Sequence, residues 1–408
     1  MLSLIIMKNR KRIYPIIKEV MQFPEVQKEK GIFRVGEDSD VFNHTQQVVK
    51  NLNKLTSDKD VIVAGCLHDI GKIKTTKQNF RGHDKVSENI TKDIDSKFFK
   101  NRGLNQNKIA KLVGLHHLII SAVIEMRKIT SYSDFEERYK RLEEELNKSG
   151  LKKELLDIFI ADSYDKSKKQ GDLKELILVK NLLSNKKYNI KDLYLLQLEQ
   201  LEKNILEMPE LLKGKNLWQN KFHEFDVYRH TLECVKHLKK LTLDKNLIVA
   251  GYFHDIGKPV TAVIEKEKVE TAEKHKGKQY HDFDDHEYIG KKIIDKMNPD
   301  FFKKYGLDKN KIARLVEAHY LPMKGVKAMR NAKSYSDFKN EFKKLELRID
   351  KSGLSREEVL LMFLADKLAQ GKFCTDKEEL FLIKDALLGR ENCSLAKIYE
   401  IQKKYAKK

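Results

Sequence analysis

The chain has 408 residues, enough for two to three domains that each bury a core. Its 19 glycines and 6 prolines, with 40% apolar and 35% charged residues, describe a helix-rich globular composition and exclude collagen, an all-β sandwich and disorder. A net charge of +20, from 81 basic and 61 acidic residues, creates a field that attracts polyanions such as nucleotides and nucleic acid.

No apolar run approaches the roughly 18 residues of a membrane span. The opening Leu2 to Met7 stretch precedes basic residues, the reverse of a secretory signal, so no membrane partner is expected. Cys66, Cys234, Cys374 and Cys393 show no C-x-x-C spacing, which argues against a disulfide framework or a thiolate zinc site and for a reducing, cytoplasmic setting. Along the chain, Val48, Leu52 and Leu55 mark one helical face, and a wholly apolar helix, Val61 to Leu67, runs into His68-Asp69-Ile70-Gly71-Lys72. Asn105 is the expected N-cap of a helix striped by Ile109, Leu112 and Val113, and Leu155, Ile158 and Phe159 stripe a later one. Asp308 caps a helix with Ile312, Leu315 and Val316, and Val359, Met362 and Phe363 follow. The fold class is all-α, each half reading as a bundle of six or seven helices, with a short hairpin expected only in a polar loop of the second.

The halves are copies. Asp40-Val41-Phe42-Asn43-His44-Thr45 returns as Asp226-Val227-Tyr228-Arg229-His230-Thr231, and Val63 to Lys72 returns as Val249 to Lys258, both at an offset of 186. Ser131 to Phe135 answers Ser334 to Phe338 at 203, so the second copy carries an insertion of 17 residues around Glu265 to His281. Phe23-Pro24-Glu25 pairs with Met208-Pro209-Glu210, and the boundary falls at Asn185-Lys186-Lys187, giving domains 1–187 and 188–408.

Polar residues then appear where the stripes predict apolar ones. Extending Ile109, Leu112, Val113 reaches His116, and extending Leu155, Ile158, Phe159 reaches Asp162; the second copy repeats this at His319 and Asp366. An inward carboxylate needs a partner, because an unpaired buried charge is strongly unfavourable. The candidate metal ligands are His44, His68, Asp69, His83, His116 and Asp162 in the first copy, and His230, His254, Asp255, His286, His319 and Asp366 in the second. Imidazole and carboxylate without thiolate suit Mn, Fe, Co, Ni, Zn or Mg, one or two ions per copy, with Asp69 able to bridge two ions. His117, His223, His237, His275 and His281 read as ordinary structural histidines. Gly65 to Lys72 reads G-x5-G-K, but Ile73 and Pro259 follow the lysines, so there is no phosphate-binding P-loop. There is no nucleophile elbow either.

His44, His68-Asp69 and Asp162, with His230, His254-Asp255 and Asp366, resemble the H…HD…D signature of the HD superfamily of metal-dependent phosphohydrolases. Gln219 to Leu232, Phe253 to Pro259, Phe283-Asp284-Asp285-His286 and Leu315 to His319 are similar to the HD domain of bacterial CCA-adding tRNA nucleotidyltransferases and poly(A) polymerases, and Phe80 to His83 looks like a shorter form of one block. The nucleotidyltransferase domain of those enzymes has no counterpart before His44, and no GYP element follows His116 or His319. The resemblance implies tandem HD domains, with RNA a more fitting nucleic-acid partner than DNA.

The reading is a hydrolase of nucleotides or of terminal or cyclic phosphates on nucleic acid, in which Asp69 and Asp255 hold the metal and Lys72 and Lys258 offset charge developing on phosphoryl oxygens. Thr75 and Thr261 are weaker candidates for phosphate contact, and Arg81 acts only in the first copy, since Asp284 replaces it in the second. The rival is a nucleic-acid-binding module whose metals are purely structural.

Overall fold

A computed structural model describes residues 13–33, 40–75, 80, 82–166, 170–184, 188–219, 223–264, 280–374, 376–390 and 393–406. Arg81, His275, the 185–187 boundary stretch and most of the second copy's polar loop lie outside the described residues. The chain forms two compact units, residues 1–127 with 133–197 and residues 128–132 with 198–408.

In the first unit six helices carry the predicted polar residues: α1 (Val41–Leu55), α2 (Lys59–Leu67), α3 (His83–Asp93), α4 (Gln106–Leu115), α5 (Leu118–Arg127) and α6 (Lys152–Lys166). The second unit repeats them as α7 (Val227–Leu241), α8 (Lys245–Phe253), α9 (His286–Lys296), α10 (Lys309–Ala318), α11 (Leu321–Arg330) and α12 (Arg356–Leu368). Each unit holds more helices than the six or seven read from periodicity, because short segments such as Pro24–Gln27, Ser96–Lys100 and Pro299–Tyr305 carry too few residues to show a stripe. The expected hairpin forms at the base of the polar loop, where β1 (Ala262–Ile264) pairs antiparallel with β2 (His281–Phe283), Val263 opposite Asp282.

Local chemistry explains why these elements start where they do. Asp40 Oδ1 accepts from Asn43 N at 2.8 Å and Asp226 Oδ1 from Arg229 N at 2.7 Å, so both first helices are capped. The other oxygens take Gly31 N and Asn216 N, tying the lead-in segment to the helix start. Gly31 and Asn216 both have positive φ, +72° and +61°. The expected N-caps Asn105 and Asp308 accept from Lys108 N and Lys311 N.

Helix α2 is buried on every face from Val61 to Leu67, and α8 is buried throughout. A helix apolar all round belongs in a core, and here its end delivers His68-Asp69 and His254-Asp255 into the interior. Val48 and Leu52 pack inward as their stripe predicts, but Leu55, the last residue of α1, is 39% exposed because the stripe ends before it. The stretch Gln106–Arg127 is long and apolar enough by length and composition to cross a membrane, which corrects the statement that no run approaches that length; half of it is buried within the unit, and it carries His116.

The glycine of each His-Asp-Ile-Gly-Lys turn lets backbone meet backbone. Gly71 N donates to Ser87 Oγ at 2.8 Å, and a Cβ on Gly71 would collide with the His83 carbonyl oxygen and stand 2.6 Å from Ser87 N. At Gly257 the same atom would collide with the His286 carbonyl and stand 2.7 Å from Gly290 N. The glycines thereby hold α3 and α9 against the turns that carry the central aspartates. Gly71→Ala and Gly257→Ala should each cost about 1–3 kcal/mol in urea unfolding through this overpacking. An unchanged midpoint would show that the helices shift freely.

Candidate metal centres

All six predicted residues of each copy come together. In the first unit α1 brings His44, the end of α2 brings His68 and Asp69, α3 opens on His83, α4 ends at His116, and α6 brings Asp162. His44 Nε2 lies 2.8 Å from Asp162 Oδ1, and His68 Nε2 lies 3.3 Å from Asp69 Oδ2 and 4.0 Å from Asp162 Oδ1. His83 Nε2 and His116 Nε2 lie 3.0 and 3.8 Å from Asp69 Oδ1. Asp69 thus turns one oxygen to each pair of histidines. Two ligand sets result, His44, His68 and Asp162 on one side and Asp69, His83 and His116 on the other, each with ligand atoms within 4.8 Å of one another.

The second unit reproduces the pattern with His230, His254 and Asp366 on one side and Asp255, His286 and His319 on the other. Here the distances are 2.8 Å for His230 to Asp366, 3.2 Å for His254 to Asp255 and 3.5 Å for His286 to Asp255.

The ring nitrogens test whether a metal fits. His68, His83 and His116 direct Nδ1 at the carbonyls of Gly65, Phe80 and Val113 at 2.6–2.9 Å, and His254, His286 and His319 direct theirs at Gly251, Phe283 and Val316. A hydrogen on Nδ1 leaves Nε2 a bare lone pair, the arrangement in which a carbonyl orients a metal-binding imidazole. Nε2 of His68, His83, His116 and His254 is buried with no hydrogen-bond partner among the described residues. Lone pairs converging on carboxylate oxygens call for a cation, and a divalent ion satisfies them.

Without an ion, a buried lysine offsets part of the carboxylate charge. Lys72 is 1% exposed and hydrogen-bonds Asp69, and Lys258 bonds Asp255 at 2.6 Å and Gln219 Oε1 at 2.5 Å. Neither is a surface lysine. Burial alone would raise the Asp69 carboxyl, but His68 and Lys72 outweigh it and hold it well below the usual range; His254 and Lys258 do the same for Asp255. Burial lowers His68 to about 4 and, helped by His286 and His254, lowers His319 to about 4. At His254 burial is outweighed by Asp255 and Asp366, which lift it to about 10.

Several residues escaped the sequence reading. His117 joins the second ligand set of the first unit, its ring 4.5 Å from His83. His116 beside it was the only signal, and Tyr320 at the matching place hid it. His223 packs 5.2 Å from the His230 ring and lines a cleft over the second centre, together with His281. Glu29 is fully buried and accepts from Thr45 Oγ1 at 3.0 Å; burial, then the charge of Asp69, raises its carboxyl well above the usual range. Gly214 stands at the matching place, so comparing the copies conceals it. Of the weaker candidates, Thr75 Oγ1 donates to the Lys72 carbonyl at 3.2 Å, and Thr261 Oγ1 is buried with no partner among the described residues.

The profile of the HD domain family matches residues 41–167 and 227–371. An A-adding tRNA nucleotidyltransferase of Deinococcus radiodurans is 31% identical over 131 residues, a stretch that spans 32% of this chain and 28% of that relative's length. No solved structure matches the chain.

The lift of His254 and the lowering of His68 predict unequal proton release. Divalent metal added to Asp69→Asn, which leaves the second centre intact, should expel about one proton more than in Asp255→Asn. Affinity at the second centre should fall as the pH drops below about 10, where protons compete for His254, whereas at the first centre protons compete for His68 only near pH 4. Indicator titration with Mn²⁺ in weak buffer measures both; equal release would contradict the assignment.

Proposed function

The chain belongs to the HD domain family, and on that premise we propose that it is a metal-dependent phosphohydrolase or phosphodiesterase acting on nucleotides or on terminal or cyclic phosphates of nucleic acid. The observation that carries the reading is the convergence, twice in one chain, of buried imidazole nitrogens on the oxygens of one central aspartate, three of them in the first copy and one in the second without a hydrogen-bond partner among the described residues.

In this reading His44, His68, Asp69 and Asp162, with His83 and His116, hold the ions of the first copy, and His230, His254, Asp255, Asp366, His286 and His319 those of the second. A bound divalent ion supplies Lewis acidity and makes water acidic enough to attack phosphorus. The chain's own residues orient and neutralise. Carbonyls of the preceding turns fix the tautomer of the histidines, and the central aspartate turns an oxygen to each ligand set. Lys258 lines the cleft over the second centre, where its ammonium offsets charge developing on phosphoryl oxygen. Lys72, at 1% exposure, acts on the first centre through Asp69. The basic surface and the tRNA enzyme among the relatives support RNA as the partner. The halves 1–187 and 188–408 are then duplicated catalytic domains.

Phosphate release from 2′,3′-cyclic nucleotides, mononucleotides, cyclic dinucleotides and short RNAs, assayed with Mn, Co, Ni, Mg and chelator, tests the reading. Turnover should need metal, fall roughly a hundredfold or more in the Asp69→Asn/Asp255→Asn double variant, and fall roughly a hundredfold in kcat at the second site in Lys258→Met. A flat panel from a chain that still binds metal would refute it.

A further inference from the structure

The copies share their ligands but differ in what surrounds them. In the second unit a cleft of about 680 Å³ opens over Asp255, His286 and His319, a volume suited to a nucleotide-sized molecule. The elements that form it bring opposite charge. β2 and the turn after it bring Asp282, Asp284 and Asp285, whereas α11 brings Lys324 and Lys327 and α12 brings Lys367.

Tyr320 joins the lysines to the centre. Its ring lies 5.8 Å from His286 and 6.2 Å from His319, and the ammonium groups of Lys324 and Lys327 lie 5.6 and 5.4 Å from its centroid. Lys324 bonds Glu287 at 2.6 Å, and Lys367 bonds Gln370 at 2.7 Å with Asp376 at 3.8 Å. Lys327 donates to the Tyr320 hydroxyl at 2.8 Å, and no carboxylate lies within ion-pair reach of it among the described residues. At the positions of Tyr320, Lys324, Lys327 and Lys367 the first copy carries His117, Ser121, Ile124 and Ser163. Ile124 is 44% exposed. Every one of the three lysines is thus replaced by a neutral side chain.

We infer that the second unit recognises a phosphoryl group additional to the one hydrolysed, bound by Lys324, Lys327 and Lys367, whereas the first unit takes substrates with a single phosphate; the inference rests on the hydrolase reading. Ions held by the ligand sets would offset the ligand carboxylates and favour the scissile phosphate there, and the lysines beside Tyr320 supply positive charge for a neighbouring one. The aspartates of the hairpin side confine this anion site to the α11 side and are suited to accept hydrogen bonds from sugar hydroxyls or base amino groups. The additional phosphate has two sources, a nucleoside bisphosphate or the phosphodiester of an RNA end.

The test compares adenosine 3′-phosphate, adenosine 3′,5′-bisphosphate and a diadenylate bearing the same 3′-phosphate, with Mn²⁺, by calorimetric Kd and by kcat/KM. Full-length Asp69→Asn reports the second unit and Asp255→Asn the first. The second unit should prefer the doubly phosphorylated probes roughly tenfold, the first not at all, and Lys324→Ser/Lys327→Ile, made in otherwise unaltered chain and in Asp69→Asn, should remove the preference. Both lysines are exposed, so these replacements leave folding intact. A preference for diadenylate over the bisphosphate identifies an RNA end as the source, and the reverse a free nucleotide. Equal affinity for all probes, no binding of any, or equal losses for all in the lysine variant would overturn the inference. Turnover without discrimination would sink it and leave the hydrolase standing; discrimination in binding without turnover would do the opposite.

Discussion

A carboxylate with almost no access to water dominates each half of this protein. Asp69 is 1% and Asp255 2% exposed, and a charge so placed is tolerable only where cations or hydrogen-bond donors surround it. The surroundings follow from that demand. Four histidines and a lysine converge on each aspartate from several helices, and the glycine two residues later removes the side chain that would hold one of those helices away. The wholly buried helix before the aspartate is part of the same solution, since it anchors the turn at a depth that water does not reach.

The arrangement is frustrated without metal. One lysine per centre offsets part of the carboxylate charge, while several imidazole nitrogens are left facing the carboxylates unpartnered. A divalent ion would resolve both defects at once, which is the ground for proposing these clusters as metal centres. Burial lowers His68 to about 4, whereas Asp255 and Asp366 outweigh burial at His254 and lift it to about 10.

Duplication preserved the centres and released the periphery. Glu29 lies buried beside the first centre where the second copy has Gly214, and three lysines flank the second centre where the first has Ser121, Ile124 and Ser163. Ligands are held by the geometry of a shared core, so both copies keep them. In the proposed reading the residues around the ligands meet only the substrate, so they are free to diverge.

Eight of the twelve ligand candidates were legible in the sequence because they broke a pattern: His116, Asp162, His319 and Asp366 end apolar stripes, and His68-Asp69 and His254-Asp255 follow the apolar runs of two helices; the other four, His44, His83, His230 and His286, stand in blocks that the two copies share. The all-α class and the caps at Asn105 and Asp308 were equally legible, since periodicity and capping are local properties of the chain. Short helices were not, having too few residues to show a period. His117, His223 and Glu29 stayed hidden because they sit in no stripe and lack a like residue in the other copy. The division of each six-residue set into two groups about the central aspartate, the unpartnered Nε2 atoms and the charged cleft were decided by tertiary structure alone. They depend on distances between side chains more than a hundred residues apart, such as His44 and Asp162 at 2.8 Å, and sequence spacing carries no measure of such distances.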